Sequence, residues 1–206
     1  MVTVVDYGIG NLRSLEKALI HVGSPVLRTD LAEDIAAADL LILPGVGAFG
    51  ACIQAIRQHN LEQPIRDAAQ RGVPFLGVCV GMQMLFETGL ERGTFPGLGL
   101  LPGRVVPFEL ADRRLKIPHM GWNLITPRYD SALLKGLSDD ARCYFVHSFH
   151  PTSIREADIL ATTNYGYDFP SIVARANVFG VQFHPEKSHR VGLRILSNFV
   201  ALRADS

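Results

Sequence analysis

The sequence is short of paired cysteines and of net charge, and each shortage excludes a class of protein. Its three cysteines, at positions 52, 79 and 143, are an odd number with no Cys-x-x-Cys spacing. This pattern speaks against a disulfide framework and a zinc site, and it predicts a reduced, cytoplasmic protein without a bound metal. Lysine plus arginine number 20, as do aspartate plus glutamate, so the basic excess typical of nucleic-acid binders is missing.

Long apolar runs and a complete dinucleotide fingerprint are missing as well. No stretch approaches the roughly 18 apolar residues that a membrane-spanning helix needs, and the chain enters a strand pattern without a basic leader. Gly8 and Gly10 follow that strand, but Arg13 stands where the third glycine of the fingerprint belongs. We therefore expect a glycine turn before a helix, no cofactor and no membrane partner.

Apolar strand patterns alternate with helical patterns through the first half of the chain. Such alternation predicts an α/β fold with three layers, in which a mostly parallel central sheet has helices on both faces and antiparallel edge strands. With 48% apolar residues the chain can bury one substantial core, so we expect a single domain over residues 1–206. Strands are predicted at 2–6, 25–29, 39–43, 73–78, 142–147, 158–163, 171–176 and 178–183. Helices are predicted at 11–22, 50–58, 62–71, 80–88 and 188–203.

Two segments depart from the simple alternation of strands and helices. Residues 93–107 are rich in glycine and proline, which predicts a loop passage within the domain. Two strand patterns lie close together at 171–183, which predicts an antiparallel hairpin at an edge of the sheet. Residues 93–107 are too few and too apolar to form a linker between domains.

Cys79 ends an apolar strand pattern and is followed directly by a helical pattern. Gly77 and Gly81 flank it, and such glycines leave room for the sharp strand-to-helix turn that presents the nucleophile in a G-x-S-x-G elbow. At the start of a helix, the dipole and free N–H groups stabilise the reactive thiolate. Taken alone, the cysteine is also compatible with a small core residue.

A second apolar strand pattern leads into His184, Pro185 and Glu186. Proline holds the preceding residue in an extended conformation, in which residues i and i+2 project to the same side. Glu186 can therefore orient the imidazole of His184. A cysteine nucleophile requires such a base, because the carboxylate sets the tautomer and stabilises the imidazolium. With Cys79, these residues indicate acyl transfer through a thioester.

The loop after the strand pattern at 39–43 carries the candidate donors to an oxyanion. Its Pro-Gly-Val-Gly sequence lets the backbone approach a ligand closely, so we predict Val46 and Gly47 as donors and Gly45 as a substrate contact. The N–H of Val80, directly after the cysteine, is the third predicted donor. Loops at the carboxyl ends of parallel strands are where α/β proteins bind their ligands.

These motifs resemble those of the class I glutamine amidotransferases, a family of enzymes with a Cys-His-Glu triad. The resemblance implies that Cys79 is the nucleophile, His184 the base and Glu186 its partner. It also implies that the site attacks the side-chain amide of L-glutamine, releases ammonia, and hydrolyses a glutamyl thioester to glutamate.

The same resemblance indicates which residues hold the substrate. It implies that Gln83 and Glu91 bind the amino-acid end of glutamine, although Glu87 lies near and a glutamate at 91 is equally compatible with a solvated surface charge. We expect His147 and Ser148 to line the substrate site or to lie just behind its lining, because His184 is better placed to act as the base.

Within that family, the chain resembles the glutaminase subunits of imidazole glycerol phosphate synthase, which act in histidine biosynthesis. The similar segments are spread along the chain, at 5–12, 43–49, 118–123, 144–148 and 184–188. The resemblance implies a heterodimer with a cyclase subunit, a (βα)8 barrel that uses the ammonia before it escapes. The predicted contact residues, close to the catalytic mouth, are Asn11, Trp122, Tyr144 and Lys187.

Alternatives to this interpretation remain open from the sequence. Trp122 is also compatible with a core residue, and Lys187 with a solvated charge. Another glutaminase of the family, such as the subunit of pyridoxal phosphate synthase, shares the triad but should lack the Pro-His-Met-Gly-Trp-Asn segment. A free-standing cysteine hydrolase of γ-glutamyl substrates, or a regulatory module that keeps the fold, would need no ammonia acceptor.

Overall fold

The computed structural model describes residues 1–202. The last residue of the predicted helix 188–203 and the end of the predicted domain lie outside the described residues. The strands are β1 (Val2–Val5), β2 (Val26–Thr29), β3 (Leu41–Gly45), β4 (Phe75–Cys79), β5 (Phe86–Gly89), β6 (Phe95–Pro96), β7 (Leu101–Pro107), β8 (His119–Leu124), β9 (Thr126–Pro127), β10 (Arg142–His147), β11 (Phe149–Thr152), β12 (Ile159–Asn164), β13 (Asp168–Arg175) and β14 (Val178–Val181).

The helices connect and cover these strands. They are α1 (Leu12–His21), α2 (Ala32–Ala36), α3 (Phe49–Gln58), α4 (Glu62–Gln70), α5 (Val80–Gln83) and α6 (His189–Ala201). Short 3-10 turns lie at Ala132–Leu134, Glu156–Asp158 and Pro185–Lys187. In the part of the chain that the structure describes, no helix is both long and apolar enough to cross a membrane.

An eight-stranded sheet forms the centre of the fold, in the order β2-β1-β3-β4-β14-β13-β12-β9. The strands from β2 to β14 run parallel, and β13, β12 and β9 continue the sheet in antiparallel pairing. α1 packs with α6 and α2 packs with α4. The connections from β1 to β2 and from β2 to β3 run in opposite directions across the sheet, so the right-handed rule for such connections assigns α1 and α2 to opposite faces. The predicted α/β architecture is confirmed.

Strands covered by helices on both faces of a parallel sheet are expected to be apolar along most of their length. β1, β3 and β4 are buried at every residue. The covering helices are amphipathic and bury one face each. In α6 the buried positions are Gly192, Ile195, Leu196 and Phe199.

The sequence-based prediction lacks α2, β8, β9 and β11, and two segments that it did assign have a different structure. The predicted helix 80–88 ends after Gln83 and the chain enters β5, while the predicted loop passage 93–107 contains β7. Both strands belong to a second sheet in the order β11-β7-β5-β6, in which β5 and β7 are parallel. Pairing with strands distant in the sequence overrides the local helix and loop preferences, because strand formation depends on its neighbours.

The predicted hairpin at 171–183 forms as β13 and β14, but it lies inside the sheet and not at an edge. β14 pairs in parallel with β4, and Val181 lies opposite Val78. Parallel neighbours end at the same edge of a sheet, so the residues that follow them meet there. This pairing brings Cys79 and His184 to one place.

Candidate active site

Cys79 ends β4 with a backbone conformation that few side chains adopt. Its φ of +56° and ψ of −112° lie outside the regions favoured by non-glycine residues, and such strain is typical of a nucleophile elbow. The turn needs both flanking glycines. A Cβ on Gly77 would meet the carbonyl oxygen of Gly81 at 2.7 Å, and a Cβ on Gly81 would overlap the carbonyl oxygen of Leu43.

The helix after Cys79 is shorter than the sequence predicts. α5 comprises Val80–Gln83 alone, and the N–H of Met84 closes its turn on the carbonyl of Val80 at 2.9 Å. A single turn offers free N–H groups after the cysteine but sums few peptide dipoles. α5 therefore contributes only a small helix dipole next to the cysteine.

His184 and Glu186 follow β14 and form a buried pair. Nδ1 of His184 donates to Oε1 of Glu186 over 2.9 Å, and the two side chains are 4% and 2% exposed. The same carboxylate oxygen accepts a hydrogen bond from Nδ2 of Asn11 at 3.1 Å. Because Nδ1 donates its proton to Glu186, Nε2 is the nitrogen that can exchange a proton with the sulfur of Cys79.

The charges of the triad support one another. Burial opposes protonation of His184, but its hydrogen bonds with Cys79 and Glu186 outweigh burial and raise the pKa of the imidazole above its ordinary value. Burial also opposes ionisation of Glu186, yet hydrogen bonds from His184 and Asn11 help to hold its pKa below the ordinary value. The site therefore favours an imidazolium next to the sulfur and a carboxylate behind it.

A serine holds the segment that carries the histidine. Oγ of Ser188 donates to the carbonyl of His184 at 2.7 Å and accepts from the N–H of Tyr144 at 2.9 Å. The N–H of His184 donates to the carbonyl of Tyr144 at 3.0 Å. β10 thus positions the base, a contribution that the His184-Pro185-Glu186 sequence by itself did not indicate.

Cys79 opens into a cavity of about 410 Å³, a size suited to a small-molecule ligand. Most of the predicted catalytic, oxyanion and substrate residues line this cavity, together with one predicted partner contact: Val46, Gly47, Cys79, Val80, Gln83, Glu91, His147, Ser148, His184 and Lys187. Pro118, Val146 and Phe149 complete its lining.

The remaining predicted residues lie around the cavity. Gly45 is not in its lining: a Cβ there would meet the backbone nitrogen of Gly81 at 2.7 Å and the hydroxyl of Tyr7 at 3.0 Å. Gly45 has a packing role, because only glycine fits between these groups, and its contact with the substrate stays a prediction. Asn11 and Glu186 lie behind the base and not in the lining.

Gln83 is buried and both hydrogens of its amide nitrogen are used. Its Nε2 donates to the carbonyl of Phe149 at 3.1 Å and to Oε1 of Gln182 at 3.2 Å. The carbonyl oxygen of Gln83 is then the group left for a ligand. Nε2 of Gln182 lies 4.0 Å from Sγ of Cys79, a contact for which the sequence offered no signal beyond the position of Gln182 two residues before the histidine.

The structure distinguishes Glu91 from Glu87 as the glutamate at the cavity, a choice that the sequence did not decide. Glu91 is half-buried in the cavity lining, and its Oε2 accepts the N–H of Phe49 at the start of α3 over 2.8 Å. Glu87 instead accepts the N–H of Gly103 at 3.0 Å and is not among the cavity residues. Glu91 is therefore not a solvated surface charge.

Trp122, Tyr144 and Lys187 lie side by side next to the cavity. The rings of Trp122 and Tyr144 are 6.0 Å apart, and Nζ of Lys187 is 5.9 Å from the centre of the Tyr144 ring. Trp122 is 45% exposed, so it is not a core residue. Its ring stacks on His189 at 5.0 Å, a contact that sequence reasoning missed.

Behind His147 lies a buried polar cluster that the sequence did not reveal. His147 donates from Nδ1 to the carbonyl of Phe149 at 2.8 Å, so its Nε2 accepts from Nδ1 of His119 at 3.0 Å. Nε2 of His119 then accepts from Asn123 at 3.2 Å. Burial lowers the pKa of His119 to about 4 and is the main cause that lowers the pKa of His147 to about 3. Both rings are neutral at pH 7, so the role of base falls to His184.

A strained cysteine, an imidazole held by a carboxylate and a small cavity that contains both define a cysteine-dependent acyl-transfer enzyme. Within residues 1–202, no group of three His, Cys, Asp or Glu side chains is arranged to hold a metal ion. The family model described as glutamine amidotransferase class-I matches residues 3–202.

Curated relatives narrow this class. The chain is 59% identical over 206 residues to imidazole glycerol phosphate synthase subunit HisH of Salinibacter ruber, which covers 98% of this chain and 94% of that protein. It is 44% identical over 208 residues to the subunit of the same name from Bacillus subtilis, which covers 100% of this chain and 98% of that one. The chain therefore belongs to the class I glutamine amidotransferases and, within them, to the HisH family.

Solved structures agree on the fold. A crystal structure of a glutamine amidotransferase matches with a TM-score of 0.77 at 21% identity, and covers 99% of this chain and 100% of that chain. The structure of PurLQS from Thermotoga maritima matches with a TM-score of 0.74 at 21% identity, and covers 98% of this chain and 97% of that chain. At this identity the likeness concerns the fold alone.

Proposed function

We propose that Cys79, His184 and Glu186 carry out the glutaminase reaction of this HisH-family subunit and release ammonia for a cyclase of histidine biosynthesis. The observation that carries the proposal is the buried hydrogen bond of 2.9 Å between His184 and Glu186, next to a cysteine at a strained elbow. A carboxylate on Nδ1 leaves Nε2 for the sulfur, which is the arrangement of a nucleophile with its base.

In the first half of the reaction, the Cys79 thiolate attacks the side-chain carbonyl carbon of glutamine, and the carbonyl oxygen becomes an oxyanion. The imidazolium of His184 then gives its proton to the amide nitrogen. The C–N bond breaks, ammonia leaves, and a glutamyl thioester remains on the sulfur. The ionised Glu186 stabilises the imidazolium before the transfer, which is consistent with the raised pKa of His184.

The second half returns the enzyme to its starting state. His184, now neutral, takes a proton from a water molecule as that water attacks the thioester carbonyl. The C–S bond breaks, the new side-chain carboxylic acid loses its proton to solvent and leaves as glutamate, and the thiolate and imidazolium are restored. Because the same imidazole gives and then takes one proton, no second catalytic acid or base is required.

The cavity residues supply binding and electrostatic stabilisation in this proposal. The N–H groups of Val46, Gly47 and Val80 are the donors to the oxyanion, since all three residues line the cavity with the sulfur. Gln83 offers a carbonyl oxygen to the ammonium group of the substrate, because its amide hydrogens are already used. Glu91 adds a carboxylate, and His147 and Ser148 also line the cavity.

The proposed partner is a cyclase subunit of the (βα)8-barrel type, in a cytoplasmic heterodimer. Ammonia released into neutral water is mostly protonated and loses its nucleophilicity, so its acceptor must cover the exit. Ile117, Met120 and Trp122 expose 49%, 61% and 45% of their surface beside Pro118, which lines the cavity. Clustered exposed apolar side chains mark protein interfaces, and Tyr144, Lys187 and Asn11 extend this proposed contact.

The test measures glutamine hydrolysis by the chain alone and with the cyclase and its ligand. The proposal predicts a nearly silent chain alone and rapid turnover in the complex, whereas a free-standing hydrolase would turn over equally in both conditions. Cys79→Ala should lower glutamine turnover by about four orders of magnitude or more and leave synthesis from added ammonium salts intact. Cys143→Ala, a buried cysteine outside the cavity lining, serves as the control.

A further inference from the structure

Tyr7 and Cys52 are buried polar side chains that the proposed mechanism leaves without a role. They follow β1 and lie in α3, respectively, and are 1% and 0% exposed. The hydroxyl of Tyr7 donates to the carbonyl of Pro44 at 2.7 Å, and the thiol of Cys52 donates to the carbonyl of Val46 at 3.2 Å. Two separate elements thus hold the carbonyl groups on either side of Gly45.

Both donors keep their hydrogens at neutral pH. Burial is the main cause that raises the pKa of the Cys52 thiol to about 11. Burial and the neighbouring Cys52 raise the pKa of Tyr7 well above its ordinary value. A thiol that stays protonated is a poor nucleophile but a lasting hydrogen-bond donor.

The two hydrogen bonds fix the loop on both sides of Gly45, and the one from Cys52 constrains the peptide that carries a proposed donor. A trans peptide is planar, and its N–H points opposite to its C=O. A Val46 carbonyl held by Cys52 therefore directs the N–H of Gly47 away from the buried thiol. A Cβ on Gly47 would have nothing within 4 Å, and its φ is +84°, so its surroundings leave this glycine room to turn, whereas the hydrogen bond from Cys52 constrains its peptide.

We propose that Tyr7 and Cys52 are positioning residues for the oxyanion loop, acting through the carbonyl groups of Pro44 and Val46. This inference rests on the glutaminase function proposed above. A displaced donor weakens stabilisation of the oxyanion, which exists only after attack, and leaves binding of the amide substrate unchanged. The loss therefore falls on kcat and spares KM.

The variants Tyr7→Phe and Cys52→Ala each remove one donor, and Cys52→Ser supplies a donor again. Each variant is assembled with the cyclase, and kcat and KM for glutamine are measured beside the rate of Cys79 alkylation by iodoacetamide. Alkylation uses the same sulfur but forms no oxyanion. We expect kcat to fall about 10-fold in the first two variants, with KM and alkylation unchanged, and Cys52→Ser to recover most of the kcat.

Thermal unfolding of each variant and a Cys79→Ala background for alkylation are the controls. The other thiols stay silent near pH 7.5, because burial is the main cause that raises the pKa of Cys52 to about 11 and that of Cys143 to about 12. Unchanged kcat in both donor-deleting variants overturns the inference, and so does an equal loss of kcat and alkylation. If Tyr7→Phe fails to fold, the Cys52→Ala and Cys52→Ser pair decides. An inactive wild-type complex would refute the proposed function instead.

Discussion

The side-chain amide of Asn11 donates a hydrogen bond to Oε1 of Glu186, the same oxygen that accepts the hydrogen bond from the imidazole of His184. Asn11 and Glu186 are 175 residues apart in the sequence. The other carboxylate oxygen, Oε2, is buried and has no hydrogen-bond partner among residues 1–202. The orientation of the carboxylate therefore depends on two hydrogen bonds to one oxygen. The loop after β1 is in this way part of the site built by β4 and β14.

Removal of this amide should weaken catalysis without abolishing it. Asn11→Ala deletes one hydrogen bond to a charged group, worth about 1.5 kcal/mol, which corresponds to roughly a 10-fold loss of kcat/KM for glutamine. Synthesis from ammonium salts should be unaffected. Asn164→Ala, at an exposed asparagine paired with Asp168, is the control, and equal activity of the two variants would refute this role of Asn11.

The alkaline limit of activity should depend on Glu186. Its carboxylate is one of the groups that raise the pKa of His184, so Glu186→Gln lowers that pKa and the imidazolium is lost at a lower pH. We expect the alkaline limb of the kcat/KM profile to move to lower pH, along with a reduced maximum. A profile that kept its alkaline limb in place would show that another group supports the imidazolium.

The elbow should not tolerate a side chain at Gly81. A Cβ there overlaps the backbone carbonyl of Leu43, so Gly81→Ala should cost about 3 kcal/mol of unfolding free energy. Gly23→Ala is the matched control: its φ of +88° imposes strain but its surroundings are open, so we expect a cost of about 1 kcal/mol. Urea denaturation measures both, and similar costs would contradict the steric explanation.

The aromatic side chain beside the cavity should contribute to assembly with the proposed partner. Trp122→Ala is expected to weaken binding of the cyclase by about 2 kcal/mol, roughly 30-fold in Kd, because large exposed aromatics anchor interfaces. The unfolding free energy of the isolated chain should change little. Tyr129 provides the control, because it is 48% exposed and lines a different cavity. An equal loss of cyclase binding in Tyr129→Ala would argue against this contact surface.

Stability should fall between pH 6.5 and pH 5 because of the buried histidines. Burial is the main cause that lowers the pKa of His119 and His147 to about 4 and 3, whereas unfolded histidines titrate near 6.5. Over this range the unfolded chain therefore binds more protons than the folded chain. As the pH falls, each histidine lowers the free energy of unfolding by roughly 1 kcal/mol per pH unit. His184, with its raised pKa, is protonated in the folded state throughout this range. Near pH 6.5, where an unfolded histidine is only half protonated, it offsets part of this slope, and it adds almost none near pH 5.

Urea titrations at half-unit intervals of pH measure this slope. His119→Gln removes one titrating group, so the dependence of the unfolding free energy on pH should weaken by the contribution of about one proton. Glu186, whose pKa is lowered, contributes stability that is lost only at lower pH, as the pH falls toward and through its folded pKa. An unchanged slope in His119→Gln would show that other groups cause the pH dependence.

Local patterns predicted the parts of the fold that are buried on both faces or amphipathic. β3 and β4 are continuous apolar runs, and α1 and α6 repeat their apolar residues at helical spacing. β5 and β7 escaped prediction because β5 is only four residues long and directly follows a helical pattern, and β7 begins within glycine- and proline-rich sequence. Only their pairing in the second sheet makes them strands.

The amino-acid sequence by itself determined the chemistry: a cysteine between glycines at the end of a strand, and a histidine followed by proline and glutamate. These features are local, because steric demands at a tight turn and the reach of a side chain act over a few residues. Tertiary structure alone decided how Asn11, Tyr7 and Gln182 meet that site. Their hydrogen bonds join segments distant in sequence, and such contacts depend on the register and packing of the whole sheet.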